Sequence, residues 1–349
     1  MKKTRLGRTG LEVSRVGMGG IPIQRPPLEE AVRVINHALD RGINFIDTSI
    51  GYGDSEIRIG GAIADRRDEV VLATKGSWRD KATSEGNIDS SLKRLNTDHI
   101  DLWQFHNVRD PEAYKRAISP GGSIEAAREA LDEGKILHLG FSTHNLEVAL
   151  RGVESGLFET VQFPFNFIAR EAAEELIPLA RKHDVGFIGM KPFAGGNITD
   201  ARLAIGYALQ HDNIVPDPGI ERAEEIDEIV GLLEGPLELS AEDWSRMDSI
   251  RDELGNRFCR QCMYCMPCPQ GVEIWLLAYM KNLFRLWPRE RVVTGWFAEA
   301  AETAEKCIQC GECETKCPYD LPIREMIREN AAFYEGVLGK ARDQRGGET

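Results

Sequence analysis

The eight cysteines of this chain all fall in its final third, and they come as two dense runs. The first run is Cys259, Cys262, Cys265 and Cys268; the second is Cys307, Cys310, Cys313 and Cys317. Each run closes on Cys-Pro, at Pro269 and Pro318. Thiolates two residues apart let three sulfurs on one turn-rich loop converge on a single iron cluster, and the proline then sends the fourth elsewhere. Disulfides are the poorer reading, because they need an oxidising compartment and no apolar leader precedes the charged Met1–Arg8 start. Two all-cysteine zinc sites are a real competitor, since C-x-x-C steps also suit tetrahedral zinc. Zinc sites, however, usually draw on two separated pairs of ligands, not four in a row closed by proline. The chain reads as an iron–sulfur module attached to something larger.

At 349 residues the chain can bury one large domain and a small one. Its formal charge is −13, and each oxidised [4Fe–4S] cluster would add about −2. A nucleic-acid partner is disfavoured, since no basic patch exists to release phosphate counterions. No run approaches the roughly 20 apolar residues that cross a bilayer, so no membrane partner is expected. Eight thiols point to a reducing cytoplasm. Oligomeric state is not readable.

From residue 15 to about 235, short apolar runs alternate with amphipathic stretches. The predicted strands are Arg15–Gly19, Ile43–Asp47, Val70–Lys75, Ile100–His106, Ile136–Ser142, Thr160–Phe165, Gly186–Lys191 and Ile214–Pro216. Between them lie helical stretches such as Leu28–Arg41, Ser84–Leu95, Ile124–Glu133, Leu146–Ser155, Glu171–His183 and Ala201–Gln210. Strand then helix is the grammar of a parallel sheet, and apolar strands fit one buried on both faces. The expected fold is α/β, a closed (β/α)8 TIM barrel. An open doubly wound sheet is the runner-up, weakened because Val16-Gly-Met-Gly-Gly20 lacks the full G-x-G-x-x-G fingerprint.

Leu6–Ser14 reads as a hairpin turning on Thr9-Gly10 that caps the barrel bottom. The organisation expected is a barrel over 1–236, an acidic helical linker over 237–257, and a small, mainly helical iron–sulfur domain over 258–338. Within that domain Val272–Arg285 and Ile323–Leu338 read as helices. A charged, frayed tail at 339–349 completes the chain.

The carboxyl ends of the strands carry the informative polar residues. Strand two ends in Asp47, followed by Tyr52 in Gly51-Tyr-Gly53; strand three ends in Lys75 and strand four in His106. Alone, each is as readily a solvated strand end, and Asp47 a helix cap. Together on consecutive strands they would meet at the upper mouth of a barrel, where such barrels do their chemistry.

The joint pattern resembles the aldo-keto reductase family and its Asp–Tyr–Lys–His tetrad. Leu6-Gly-Arg-Thr-Gly-Leu-Glu-Val-Ser14 is similar to the family's amino-terminal segment, and Asn44-Phe-Ile-Asp-Thr48 with Gly51-Tyr-Gly53 to its aspartate–tyrosine signature. Ala73-Thr-Lys75 and Gln104-Phe-His106 fit the lysine and histidine positions. Gly140-Phe-Ser142 and Val161-Gln162 resemble segments that hold the nicotinamide carboxamide. The likeness covers residues 2 to about 235, and the carboxyl-terminal module resembles that of a ferredoxin-domain branch.

The resemblance implies an NAD(P)-dependent oxidoreductase acting on a small-molecule carbonyl substrate. Tyr52 would be general acid, Lys75 would lower its pKa, Asp47 would hold Lys75, and His106 would meet the carbonyl oxygen. Implied nucleotide contacts are Gly20, Ser142, Gln162, Met190, Lys191, Pro192, Gly219 and Arg222, with Asn166 beside them. Two departures stand out. Met190 replaces a common stacking aromatic, and Glu225 falls near a common arginine. Arg222 would grip a 2′-phosphate, whereas Glu221, Glu224 and Glu225 would repel one; NADP is favoured by the family and NAD by these charges. Trp78 and the loop around Tyr114 are candidate aromatic pocket walls.

By the ferredoxin pattern, Cys259, Cys262, Cys265 and Cys317 would hold one [4Fe–4S] cluster. Cys307, Cys310, Cys313 and Cys268 would hold the other, although the shorter step before Cys268 leaves one cluster or two open. Two further functions compete with a plain carbonyl reductase. One is an electron-transfer enzyme with a partner protein; the other is a redox or oxygen sensor. Hydride carries two electrons and a cluster ordinarily takes one, and nothing signals a flavin to split the pair.

Overall fold

The computed structural model describes the backbone of residues 1–346 and the side chains through residue 339. The chain divides into two compact units, Met1–Trp244 and the part from Ser245 onward.

The first unit begins with a hairpin, β1 (Lys3–Arg5) antiparallel to β2 (Glu12–Ser14). Gly7 and Gly10 turn it, both at positive φ where glycine is favoured. Leu6 and Val13 from this hairpin pack with Phe45, Ala73, Leu102, Ile188 and Val215 of the strands. The predicted plug at the barrel bottom is therefore present, and it leaves the opposite end of the strands for chemistry.

Eight strands follow, all parallel: β3 (Met18–Gly19), β4 (Phe45–Asp47), β5 (Val71–Gly76), β6 (Ile100–Phe105), β7 (Ile136–Ser142), β8 (Thr160–Pro164), β9 (Gly186–Met190) and β10 (Ile214–Asp217). The sheet closes on itself. Gly19 bridges to Gly219, the Gly17 and Gly19 amides donate to the Pro216 and Pro218 carbonyls at 2.8 and 2.7 Å, and Ile220 N–H donates to the Gly19 carbonyl. This seam decides for the TIM barrel over the open sheet. Gly19 suits it because a Cβ there would stand 3.1 Å from the Pro218 carbonyl, crowding the strand.

Helices cover the strands by apolar stripes. Leu28–Asp40 buries Ala31, Val34, Ile35, Ala38 and Leu39, the i, i+3, i+4, i+7 pattern of one helical face. Asp80, Asp110, Asn145 and Asp200 each accept a backbone N–H at the start of a helix, satisfying donors that the helix leaves open.

Helix Ala241–Leu254 lies where the acidic linker is expected and carries the boundary between the two units. In the second unit, helix Ile274–Leu286 packs against the long helix Ile323–Gly346, and Asn330 donates to the Leu277 carbonyl at 2.8 Å. Arg257 ties the loop before the cysteines to that long helix through Glu325 and Glu329. The helix continues through Gly346, beyond the predicted end at Leu338; the last residues of the predicted tail, 347–349, lie outside the described residues.

Candidate active site and metal centre

β4 delivers Asp47 as its last residue, β5 delivers Lys75 as its penultimate one, and His106 follows β6 directly. Tyr52 comes from the tight loop after β4. There Tyr52 N–H donates to the Ser49 carbonyl, Gly51 N–H donates to Ser49 Oγ, and Gly53 takes positive φ. The four side chains meet. Lys75 Nζ stands 2.5 Å from Asp47 Oδ2 and 2.7 Å from the Thr48 carbonyl. Gln104 Nε2 and Gln162 Nε2 donate to the same carboxylate at 3.2 and 3.1 Å. The ammonium is 5.1 Å from the centre of the Tyr52 ring, and that ring stands edge-on to His106 at 5.5 Å.

The charge states follow from this packing. Burial disfavours the Lys75 cation, but Asp47 and Tyr52 together outweigh it and keep the ammonium. His106 is pushed down to about 3, first by burial and then by the Lys75 and Lys191 cations, so it is a neutral hydrogen-bonding group. Its Nδ1 lies 2.8 Å from Ser49 Oγ. The expectation for Tyr52 needs correction. Lys75 does pull its pKa down, but burial opposes that pull and wins, so the phenol lies above its ordinary value.

Asp217, the last residue of β10, is a site residue that sequence reasoning missed. It is buried, receives Gln162 Nε2 at 3.2 Å, and has no hydrogen-bond partner at Oδ1 among the described residues. Its position repeats the signal that picked out Asp47: one acid closing an apolar strand.

The expected nucleotide contacts are placed less uniformly. Ser142 Oγ accepts from Asn107 N–H at 2.8 Å, while its own proton has only a 3.5 Å contact to the Phe105 carbonyl. That leaves the hydroxyl able to donate to an amide oxygen, so a nicotinamide carboxamide fits there. Asn166 is engaged locally: it donates to the Lys191 carbonyl and accepts two backbone N–H groups. It thereby shapes the loop after β9, where Lys191 takes φ +59° and sets its Nζ 2.8 Å from His144 Nε2. Pro192 is buried beside it, and Met190 ends β9 half-buried. Gly20 and Gly219 flank the barrel seam.

Arg222 lies outside this cluster. It pairs with Glu225 at 2.8 Å, and Glu225 also accepts the backbone N–H groups of Glu221 and Arg222. Tyr114 does not line a pocket wall, because its ring packs inward toward Phe158 and its hydroxyl faces the Arg151 carbonyl. Trp78 is buried at the rim, its N–H donating to the Asn107 carbonyl.

In the second unit the two cysteine runs share one backbone device. Gln261 and Met263 flank Cys262, and Gln309 and Gly311 flank Cys310, all four at positive φ. Non-glycine residues hold such angles only where the surroundings demand it, so the first run adopts the same turn as the second despite its different spacing. One cavity is lined by Cys259, Cys262, Cys265 and Cys317; another is lined by Cys268, Cys307, Cys310 and Cys313, with Cys265 between them. Among the described residues no three His, Cys, Asp or Glu side chains converge as ligands of a single ion. Sulfurs around a cavity suit a multi-atom cluster.

The aldo/keto reductase family profile matches residues 15–203 of the 349. This chain belongs to the aldo/keto reductase family. A 4Fe-4S dicluster domain profile matches residues 258–322, so the reductase barrel is followed by an iron–sulfur domain. The aldo-keto reductase YhdN of Bacillus subtilis is 30% identical over 233 residues, covering 61% of this chain and 68% of that one. Among solved structures, aldo-keto reductase AKR11C1 from Bacillus halodurans in its holo form aligns with a TM-score of 0.62 at 26% identity. That match covers 72% of this chain and 96% of that one. An aldo-keto reductase from Klebsiella pneumoniae, solved in complex with NADPH, aligns at 0.61 and 22% identity over 72% of this chain and 95% of that one; this likeness speaks for the fold.

Proposed function

We propose that this reductase interconverts a carbonyl and an alcohol on a small molecule, with Tyr52 as general acid and base. The observation that carries the reading is the buried Asp47–Lys75 pair at 2.5 Å, set beside Tyr52 and His106 at the end of the strands. A bound reduced nicotinamide supplies the hydride. Ser142 and Gln162 are the side chains that would hold its carboxamide. Tyr52 gives its proton to the carbonyl oxygen, and the charge left on the phenolate faces the Lys75 ammonium, which Asp47 keeps charged. With the Ser49 hydroxyl proton given to His106 Nδ1 at 2.8 Å in place of the Lys75 carbonyl at 3.1 Å, the imidazole proton sits on Nε2 and meets the developing oxyanion. The phenol is protonated at neutral pH and so is in the form that donates to a carbonyl oxygen.

The family resemblance favours NADP(H) as the nucleotide, and the charges beside Arg222 favour NAD(H). Glu225 occupies both the Arg222 guanidinium and two backbone N–H groups, leaving less for a 2′-phosphate. In the iron–sulfur domain, Cys259, Cys262, Cys265 and Cys317 hold one [4Fe–4S] cluster and Cys268, Cys307, Cys310 and Cys313 the other. A reducing cytoplasm suits such a protein. One observation favours a second reading, in which the clusters pass electrons to a partner protein. Trp275 lines the first cysteine cavity and lies 5.8 Å, ring to ring, from Trp296, which is 52% exposed.

Replacing Tyr52 with phenylalanine tests the primary reading. Nucleotide oxidation against a panel of aldehydes and ketones should fall by about 10² to 10⁴-fold, with nucleotide binding retained. Turnover surviving in Tyr52→Phe would refute the assignment.

A further inference from the structure

β10 ends in a carboxyl that the chemistry above does not use. Asp217 is 5% exposed and closes the apolar strand Ile214-Val215-Pro216. Gln162 Nε2 lies 3.2 Å from Asp217 Oδ2 and 3.1 Å from Asp47 Oδ2, so one amide bridges two carboxyls. Two buried carboxylates sharing one amide donor repel each other, and a proton on one of them relieves that repulsion. Asp47 already accepts the Lys75 ammonium and the Gln104 amide, which marks it as the ionised member. Across the barrel seam, glycine is what admits the second carboxyl. A Cβ on Gly17 or Gly19 would stand 3.1 or 3.3 Å from its oxygens.

One ammonium serves both acids, and burying two negative charges against one positive charge is costly. We propose that Asp217 is a positioning residue of this active site: a protonated carboxyl joined to Asp47 through the Gln162 amide that, through its ionisation, governs how readily Tyr52 exchanges its proton. The inference rests on the reading of Tyr52 as general acid. The titratable groups facing Asp217 are Asp47 from β4, Lys75 from β5 and Tyr52 from the loop after β4; Gln162 from β8 is neutral.

Burial, and then Asp47, hold the Asp217 carboxyl well above the usual carboxylate range, in keeping with a resident proton. While neutral, Asp217 leaves the Lys75 charge to Asp47 and Tyr52. Once ionised, it adds a negative charge that opposes the phenolate, so Tyr52 resists deprotonation as pH rises.

Asp217→Asn keeps the shape of the side chain while removing the titration. Infrared difference spectra at neutral pH should show a protonated carboxylic-acid band in the wild type that the variant lacks. The alkaline limb of kcat/KM for carbonyl reduction should move down by about one pH unit in the variant, because its phenolate forms more easily. Should asparagine fail to fold, Asp217→Ser serves for the same two readouts. No acid band in the wild type, or a pH profile unmoved by the substitution, overturns the proposal. Turnover surviving in Tyr52→Phe would instead sink the reading beneath it, and the infrared result would still report on Asp217.

Discussion

The barrel site and the cysteine module solve opposite problems. In the barrel the buried charges satisfy one another: Lys75 is met by Asp47 and a carbonyl, Asp47 by Lys75 and two amides, and His106 by Ser49. Folding alone completes that site. In the module, folding brings thiols together without giving them counter-charges. Burial pushes Cys262 up to about 12 and Cys313 up to about 11, and neighbouring thiolates add to the penalty. A bound metal cation makes four clustered thiolates tolerable, so metal binding and local folding belong to one event there. The first site is built by topology and the second by its metal.

Iron removal should break this symmetry most visibly. Anaerobic chelation is expected to strip amide hydrogen-exchange protection from residues 258–322 while β4–β6 keep theirs. Iron analysis of the loaded protein should find about eight atoms per chain; about four would leave a single cluster. Loss of protection in both regions together would contradict the contrast. A smaller effect comes from the barrel side. Lys75→Met strands Asp47 in the interior, and urea unfolding should show a loss of about 3–5 kcal/mol, accompanied by loss of turnover. A variant within about 1 kcal/mol of the wild type would mean that the pair is not the buried unit described.

The same contrast explains what could be read from the sequence. The cysteines are local, so their spacing speaks directly. The barrel site joins residues 28, 57 and 115 positions apart, and only the strand rhythm makes them neighbours. That rhythm was legible: Ile136–Ser142 is found as predicted, and most other strands differ by a residue or two. The misses have physical causes. Arg15–Gly19 shortens to Met18–Gly19 because β3 pairs with β4 through only two residues before the seam takes over.

Glu171–His183 shortens to Leu176–Lys182 because Pro178 has no N–H to donate to the Glu174 carbonyl, so the helix cannot run through from Glu171. Helix Pro111–Ile118 went unassigned, although Asp110-Pro111 is a start signal and the Asp110 side chain caps it. The tetrad was visible because Asp47, Lys75 and His106 are each polar at the end of an apolar run, with Tyr52 in the glycine-rich loop that follows the first of them. Asp217 carried the same mark and was passed over, since nothing in the resemblance pointed to it. The Tyr52 pKa was out of reach, because desolvation is set by tertiary packing.

The central claim is that the barrel holds a complete hydride chemistry that does not run through the clusters. The most direct test is the visible and paramagnetic-resonance spectrum of anaerobically purified, iron-loaded protein, before and after NADPH, and again after a carbonyl substrate. The account predicts a brown absorbance that nucleotide leaves unchanged, with NADPH consumed only once the carbonyl is present. Bleaching of that absorbance by NADPH alone would contradict it, because electrons would then be reaching the clusters from the barrel.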